Sequence, residues 1–282
     1  MRNDKQILSK HFSKYATTYD EVATVQHRLQ AALWDRWIGE MIDEESTRKI
    51  KDVLDLGCGP GTHAAKILGA LPSSLYVGID ISENMLLHAK ERIGEEFSRR
   101  VRWEQVDAEQ WNWPVERFDV IHSNAVMQWF NDPDAAIISI VDAIQLNGWF
   151  IGTVFTQGTF KELKQAISDV NSLQQITLSS GPILRSVAAW NESFDVLRGM
   201  GHVVQTEIFC EQQMYADLRG MLKQIQQMGA TDASEEVDAL TGWTPKRMRQ
   251  VEDVYRREHG TNDGIRATYE ALCFWIQKRI ET

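Results

Sequence analysis

The chain is poor in cysteine, has no long apolar run and carries a deficit of positive charge. Its three cysteines, Cys58, Cys210 and Cys273, lie far apart and form no CxxC pair, so neither a disulfide framework nor a zinc site is expected. Such sparse usage fits a reducing compartment, and a cytoplasmic setting is expected. No stretch approaches the apolar length of a membrane span. The start, MRNDKQILSKHF, lacks the apolar core and small-residue cleavage site of a signal peptide. Lys and Arg number 30 against 40 Asp and Glu, a formal net charge of −10. That balance argues against broad adhesion to nucleic acid or to an anionic membrane, and no partner of either kind is expected.

What is present is the composition of a globular protein, 43% hydrophobic and long enough for one large core plus an appended piece. Residues 4 to 42 read as helical. Ile7, Leu8, Phe12 and Tyr15 fit one apolar stripe, and Val22, Val25, Leu29, Leu33, Trp37 and Met41 fit a second. Strands are then predicted at Val53–Leu56, Leu75–Ile79, Val101–Val106, Phe118–Ser123 and Trp149–Phe155. Helices alternate with them, one capped by Ser82 and one opened by Asp132-Pro133. This rhythm implies a doubly wound parallel sheet with helices on both faces. After Gly158 the rhythm changes. Residues 159 to 200 and 216 to 262 read mostly as helix, with polar breaks at 178–182 and 229–245, and suggest a cap over the ligand side. Val203–Tyr215 and Ala267–Ile276 read as late strands. The expected division is a helical lid at 1–48, a nucleotide-binding core at 49–157, and cap insertions with completing strands at 158–282.

The most informative segment is VLDLGCGPG, Val53 to Gly61. An apolar strand ends near Asp55, and Gly57, Gly59 and Gly61 follow at alternate positions, which reads as a loop that lets a ligand press against backbone. Position 62 is Thr, so the spacing departs from the dinucleotide G-x-G-x-x-G. A carboxylate at Asp55 would repel a pyrophosphate and suits a cationic ligand, such as the amino group or sulfonium of S-adenosylmethionine. Asp80, ending the second strand, can accept from both hydroxyls of a ribose. Asp107, with Ala108 after it, can accept from an adenine amine. A single strand-end Asp is as often a turn former or cap. Three in successive βα units beside a glycine loop are a more specific combination.

These residues, with GIDIS around Asp80 and FDVIHSN at Phe118–Asn124, resemble the class I S-adenosylmethionine-dependent methyltransferases over about residues 50 to 156. A closer resemblance covers nearly the whole chain. KHFSKYATTYDEVATVQ, SNAVMQW, TQGTFKEL, QMGAT and ATYEALCFWI together look like the malonyl-acyl carrier protein O-methyltransferases of biotin synthesis. That resemblance implies a mostly parallel, seven-stranded Rossmann-like sheet with N-terminal helices and a helical cap. It implies S-adenosyl-L-methionine as methyl donor, S-adenosyl-L-homocysteine as product, and no metal. The acceptor would be the free carboxylate of malonyl-acyl carrier protein, or of malonyl-CoA. Cofactor contacts are expected from Tyr15, Asp55, Gly57, Gly59, Asp80, Ile81, Met85, Asp107, Ala108 and Ser123.

A carboxylate, with a pKa of about 4, is already ionised at neutral pH, so the implied reaction needs neither a general base nor a metal. It needs alignment and a dry site. Tyr19 is the candidate catalytic residue, as a donor that orients the carboxylate. Gln128 and Trp129, after the fourth strand, and Arg185 and Arg266, in the cap regions, are candidate acceptor contacts. His122 falls inside a strand pattern and reads as structural, and His63 reads as a helix-end residue. Lys246, Arg247, Arg249, Arg256 and Arg257 offer a basic surface to an acidic carrier protein, or simply a solvated helix face. The alternatives are a carboxyl or O-methyltransferase with a different small acceptor, a non-catalytic S-adenosylmethionine-binding protein, and a nicotinamide enzyme, which Asp55 and Thr62 disfavour.

Overall fold

The computed structural model describes residues 3–170, 182, 184–228 and 244–279. The N-terminal section forms α1 (Lys5–Tyr15), α2 (Tyr19–Val22), α3 (Thr24–Arg36) and α4 (Glu44–Lys49), with a π-helical turn at Trp37–Met41. The Asp4 carboxylate caps α1 by accepting from the N–H groups of Gln6 and Ile7. Alternation then follows through β1 (Asp52–Leu56), α5 (Ala64–Ala70), β2 (Leu75–Asp80), α6 (Glu83–Arg92), α7 (Glu95–Ser98), β3 (Val101–Gln105), β4 (Phe118–Asn124), α8 (Pro133–Asp142) and β5 (Ile144–Phe155). The remainder supplies α9 (Lys161–Val170), α10 (Val187–Gly199), β6 (Val203–Tyr215), α11 (Leu218–Gln227), α12 (Pro245–His259), β7 (Gly260–Thr261) and β8 (Gly264–Gln277). Ser82 caps α6 and Asp132 caps α8 with Pro133 in the first turn, as the sequence predicts.

One sheet runs in the order β3-β2-β1-β4-β5-β8-β6, with β7 pairing to β8. β1 to β5 pair in parallel, while β8 runs antiparallel to both β5 and β6. Seven strands on the main path, mostly parallel, agree with the fold that the resemblance implies. Both faces are covered, which is why β1 is buried at successive positions, with Val53, Leu54 and Leu56 apolar on both faces. Val53, Val120, Ile151 and Trp275 pack against α3, α5, α9, α11 and α12. Leu54, Ile121, Phe150 and Phe274 pack against α8 and α10 on the opposite face.

The structure moves several element boundaries from where the sequence puts them. β5 starts at Ile144, well before Trp149, with an irregular register where it meets β4 and Asn147 at positive φ. α5 starts at Ala64, three residues after Gly61, the last glycine of the loop. Of the helices expected as a cap, α11 packs against α2 and β6, while α9 and α12 pack against β8. Leu163, Met221, Leu222, Val251 and Tyr255 from α9, α11 and α12 belong to the same buried cluster as Ala267 and Tyr269 of β8. Their apolar stripes are thereby buried. The predicted polar breaks at 178–182 and 229–245 fall almost entirely outside the described residues, as does most of QMGAT.

The Asp217 carboxylate accepts from Gly220 N–H at 2.7 Å and caps α11, whose Met221, Leu222 and Ile225 are buried. Asp217→Ala is expected to lower stability by about 1 kcal/mol in urea unfolding, with an unchanged slope. A loss within error of zero would show that the cap is redundant.

Candidate active site

The carboxyl ends of β1, β2 and β4 converge on the loop after β1, at the point where strand order reverses. Gly57, Gly59 and Gly61 all have positive φ, between 54° and 70°. At Gly57 a Cβ would also meet the Val126 side chain at 2.3 Å, and at Gly61 it would meet Ala89 at 2.8 Å. The loop therefore requires glycine twice over, for conformation and for close approach. The N–H groups of Gly57 and Cys58 both donate to Ile79 O, tying the loop to β2.

Asp80 joins the two loops. One carboxylate oxygen accepts from Gly59 N–H at 2.9 Å, and the other accepts from Ser82 N–H at 2.8 Å. Burial pushes its carboxyl up to about 6, against the opposing pull of those backbone donors. Asp107 accepts from Glu109 N–H at 3.1 Å at the head of the next loop.

The N-terminal helices close the site from above. Ser9 Oγ donates to Ile81 O at 2.9 Å, Ser13 and Ser82 hydroxyls bond at 2.8 Å, and Asn84 Nδ2 donates to Ser13 O. Lys5 Nζ donates to Trp129 O and pairs with Glu109. α2 is pinned through Asp20, which accepts from Thr62 and His27 and pairs closely with Arg92. Although burial alone would raise it, these donors hold the Asp20 carboxyl well below the usual range.

Beneath this lid lies a cavity of about 660 Å³, and beside it a smaller one of about 400 Å³. Tyr19, Gly57, Gly59 and Asn124 belong to the walls of both. The larger cavity is mostly apolar. Ile81, Met85, Ala108 and Trp129 line it, with Asp80 and Asp107 as its carboxylates. Phe12 of the lid meets Trp129 edge-on at 5.6 Å. The smaller cavity is polar, lined by Gln26, His27, Gln30, Asp55, His63 and His122 among others. Burial, then His122 and His27, push His63 down to about 4, so it is neutral at physiological pH. Burial also raises the Cys58 thiol well above its ordinary value, which leaves it un-ionised in the loop.

The structure thus brings together Tyr19, Gly57, Gly59, Asp80, Ile81, Met85, Asp107, Ala108 and Trp129. Asp55 is placed differently from expectation. It faces the polar cavity, and its two oxygens are taken by the Tyr76 hydroxyl at 2.5 Å and by His122 Nδ1 at 3.0 Å. Tyr15 lines neither cavity and packs against His11. Ser123 is fully buried within β4, which continues through Asn124, so Asn124 rather than Ser123 reaches the walls. Gln128 and Arg185 line a separate cleft. Arg266 lies in β8, where its carbonyl accepts from Tyr255, away from both cavities. Lys5, Leu8 and Phe12 of α1 were missed as wall residues, although Leu8 and Phe12 belong to the apolar stripe visible in the sequence. His122 and Gln26 were missed too, since nothing in sequence marks which strand or helix residues border a cavity.

Parallel strands, a glycine loop and a strand-end carboxylate at the switch point define a Rossmann-like methyltransferase, and a methyltransferase-domain family model matches residues 53–148. The malonyl-[acyl-carrier protein] O-methyltransferase of Paenibacillus sp. (strain JDR-2) is 29% identical, over 98% of this chain and 99% of that protein. That of Bacillus anthracis is 30% identical over 98% of each. The phosphoethanolamine N-methyltransferase 2 of Haemonchus contortus, solved in complex with S-adenosyl-L-methionine, shares the fold. Its TM-score is 0.54 at 17% identity, covering 95% of this chain and 57% of that one. The chain belongs to the malonyl-[acyl-carrier protein] O-methyltransferase family.

Asp80 gives the ligand-free protein a defined pH response. Its carboxyl moves from an ordinary 3.8 to about 6 on folding, so the folded state holds the proton more tightly. The stabilisation this gives is fully present below the ordinary value and is lost as pH rises to about 6. Urea unfolding of wild type and Asp80→Asn across pH 4 to 7 should show the wild type losing ground steadily over that window. Parallel curves would contradict the assignment.

Proposed function

We propose that this O-methyltransferase passes a methyl group from S-adenosyl-L-methionine to the free carboxylate of a malonyl thioester carried on acyl carrier protein, in the cytoplasm. The observation that supports a nucleoside–amino acid cofactor is the pair of cavities meeting at Tyr19 and the glycine loop. The apolar cavity suits adenosine, with Asp80 to accept from the ribose hydroxyls and Asp107 near the base. In the polar cavity, His122 Nε2 and Gln26 Oε1 are buried with no partner among the described residues. In the tautomer that donates Nδ1–H to Asp55, the imidazole presents Nε2 as an acceptor. Two unpaired buried acceptors suit an ammonium group, so the negative charge of Asp55 acts on the ligand through His122 rather than by contact.

When bound, the cofactor supplies an electrophilic methyl group on a sulfonium. The chain's own part is to hold the acceptor and keep it dry. Tyr19 stands at the junction of the cavities, and burial followed by the charges of Asp80 and Asp20 raises its phenol well above the ordinary value. It remains a hydrogen-bond donor at every working pH, suited to orient a carboxylate and unsuited to act as a base. Phe12, Val126 and Trp129 line the larger cavity beside Tyr19, and the apolar walls favour a dry carboxylate. The same chemistry would serve malonyl-CoA, and full-length similarity to carrier-protein enzymes favours the carrier protein.

The test is incorporation of labelled methyl into malonyl-acyl carrier protein as a base-labile ester, with malonyl-CoA and free malonate alongside. Label on the carrier-protein thioester supports the reading, and label only on free malonate overturns it. Tyr19→Phe is expected to reduce kcat by about tenfold or more while leaving cofactor Kd within about twofold. Unchanged kcat would remove Tyr19 from the acceptor's contacts.

A further inference from the structure

α2 has little of its own to hold it in place. It is a single turn, Tyr19–Val22, with no buried residue and no side-chain cap at its N-terminus. One turn of helix is not stable by itself in water. Yet α2 carries Tyr19 into the walls of both cavities. The Tyr19 ring meets Phe12 edge-on at 6.5 Å, and its hydroxyl bonds to no described residue. The ring therefore stands where the backbone of α2 puts it. At the far end of the turn Val22 packs against the main core cluster, and its carbonyl accepts from Gln224 Nε2 at 3.2 Å. At the near end one side chain, Asp20, fastens the turn to the glycine loop and α6.

That fastening is a closed ring of three side chains. Thr62 Oγ1 donates to one carboxylate oxygen of Asp20 at 2.7 Å. Arg92 pairs with the other oxygen through one guanidinium nitrogen and donates to Thr62 Oγ1 through a second. His27 Nε2 of α3 stands 3.4 Å from the oxygen that Thr62 uses. The ring joins α2, the residue after the last glycine of the loop, and α6. On the cofactor side, the Asp80 carboxylate joins the same glycine loop to the entry of α6. The two elements that frame the ribose pocket are thus also the two that place Tyr19. Thr62 occupies the position where the chain departs from the dinucleotide glycine pattern, and a glycine there would offer no hydroxyl.

We propose that Thr62, Asp20 and Arg92 form a clasp that positions Tyr19 against the glycine loop, so that the acceptor carboxylate is held in line with the methyl group of the cofactor. The proposal rests on the role given to Tyr19 above and deepens it. Thr62 touches neither reactant and is a positioning residue that acts through Tyr19. Transfer between two bound groups is sensitive to alignment, and a misplacement of about 1 Å can cost about 100-fold. A phenol borne on one turn of helix needs an external reference, and the clasp takes that reference from the elements that hold the cofactor. Its members lie outside the core, since the Arg92 and Asp20 side chains are 40% and 28% exposed. Opening the clasp therefore displaces Tyr19 without opening the sheet.

The test is a double-mutant cycle in the full-length enzyme, with malonyl-acyl carrier protein as acceptor. Thr62→Val removes the hydroxyl and keeps the branched shape. It should lower kcat about tenfold while the Kd of S-adenosyl-L-homocysteine stays within about threefold. In a Tyr19→Phe background the same change should cost less than about twofold, because there is no phenol left to place. Thr62→Ser, which restores the hydroxyl, should return kcat to within about twofold of wild type. Equal losses in both backgrounds, or a loss confined to cofactor Kd, overturns the proposal. The position of Tyr19 is read separately, without turnover, by 19F resonance of enzyme in which the six tyrosines are 3-fluorotyrosine. The Tyr19 signal is assigned by its absence in Tyr19→Phe, and it should shift or broaden in Thr62→Val with S-adenosyl-L-homocysteine saturating. An unmoved signal overturns the clasp whatever the kinetics. A moved signal with unchanged kcat in Tyr19→Phe overturns the acceptor role of Tyr19 and leaves the clasp standing. Arg92→Met, at an exposed position, carries the same expectations for kcat and for the signal if Thr62→Val fails to fold.

Discussion

The site depends on one carboxylate held by two backbone N–H groups. Asp80 receives Gly59 N–H on one oxygen and Ser82 N–H on the other, and so locks the glycine loop after β1 to the start of α6. Loop shape, the entry of α6 and the position of the cavity floor all follow from that grip. Burial works against it, raising the carboxyl to about 6, so the fold keeps a charge where solvation is poor. Such an arrangement is costly in an empty protein and useful in one that offers lone pairs to a diol. The same logic recurs next door. Asp55 spends its oxygens on Tyr76 and His122, and what reaches the polar cavity is the far nitrogen of the imidazole.

The lid uses different physics. α1 contributes Leu8 and Phe12 to the cavity wall and is fastened by individually modest hydrogen bonds to Ile81 O, Ser82 and Trp129 O. α2 adds Asp20, bound to Thr62 and Arg92 of the core. None of these bonds is deeply buried, and each can exchange with water at small net cost. A site that must exclude water during transfer and yet admit a large cofactor is well served by many weak fastenings rather than a few strong ones.

Much of this was legible in the sequence. The strand–helix rhythm placed every strand of the parallel half, and strand-end position identified Asp80, Asp107 and Ala108 as wall residues. Glycines at 57, 59 and 61 announced the loop because only glycine takes its backbone angles cheaply. What could not be read were relations across the chain. The partners of Asp55 lie 21 and 67 residues away, and nothing local says that they consume its oxygens. The one-residue extension of β4 moved the wall from Ser123 to Asn124. The apolar stripes of α9, α11 and α12 were visible as helices, but stripes do not say which surface they cover, and α9 and α12 pack on β8 while α11 packs on α2 and β6. Gln128 and Trp129, adjacent in one 3-10 turn, line two different hollows, which their order in the chain does not reveal.

The central claim, that the Asp80 carboxylate receives a ribose diol while clasping two loops, is tested most directly by calorimetry with S-adenosyl-L-homocysteine and its 2′,3′-dideoxy analogue. The account predicts that loss of the two hydroxyls weakens binding by about tenfold or more at pH 7.5, where Asp80 is ionised. Equal affinity for the two ligands would contradict it.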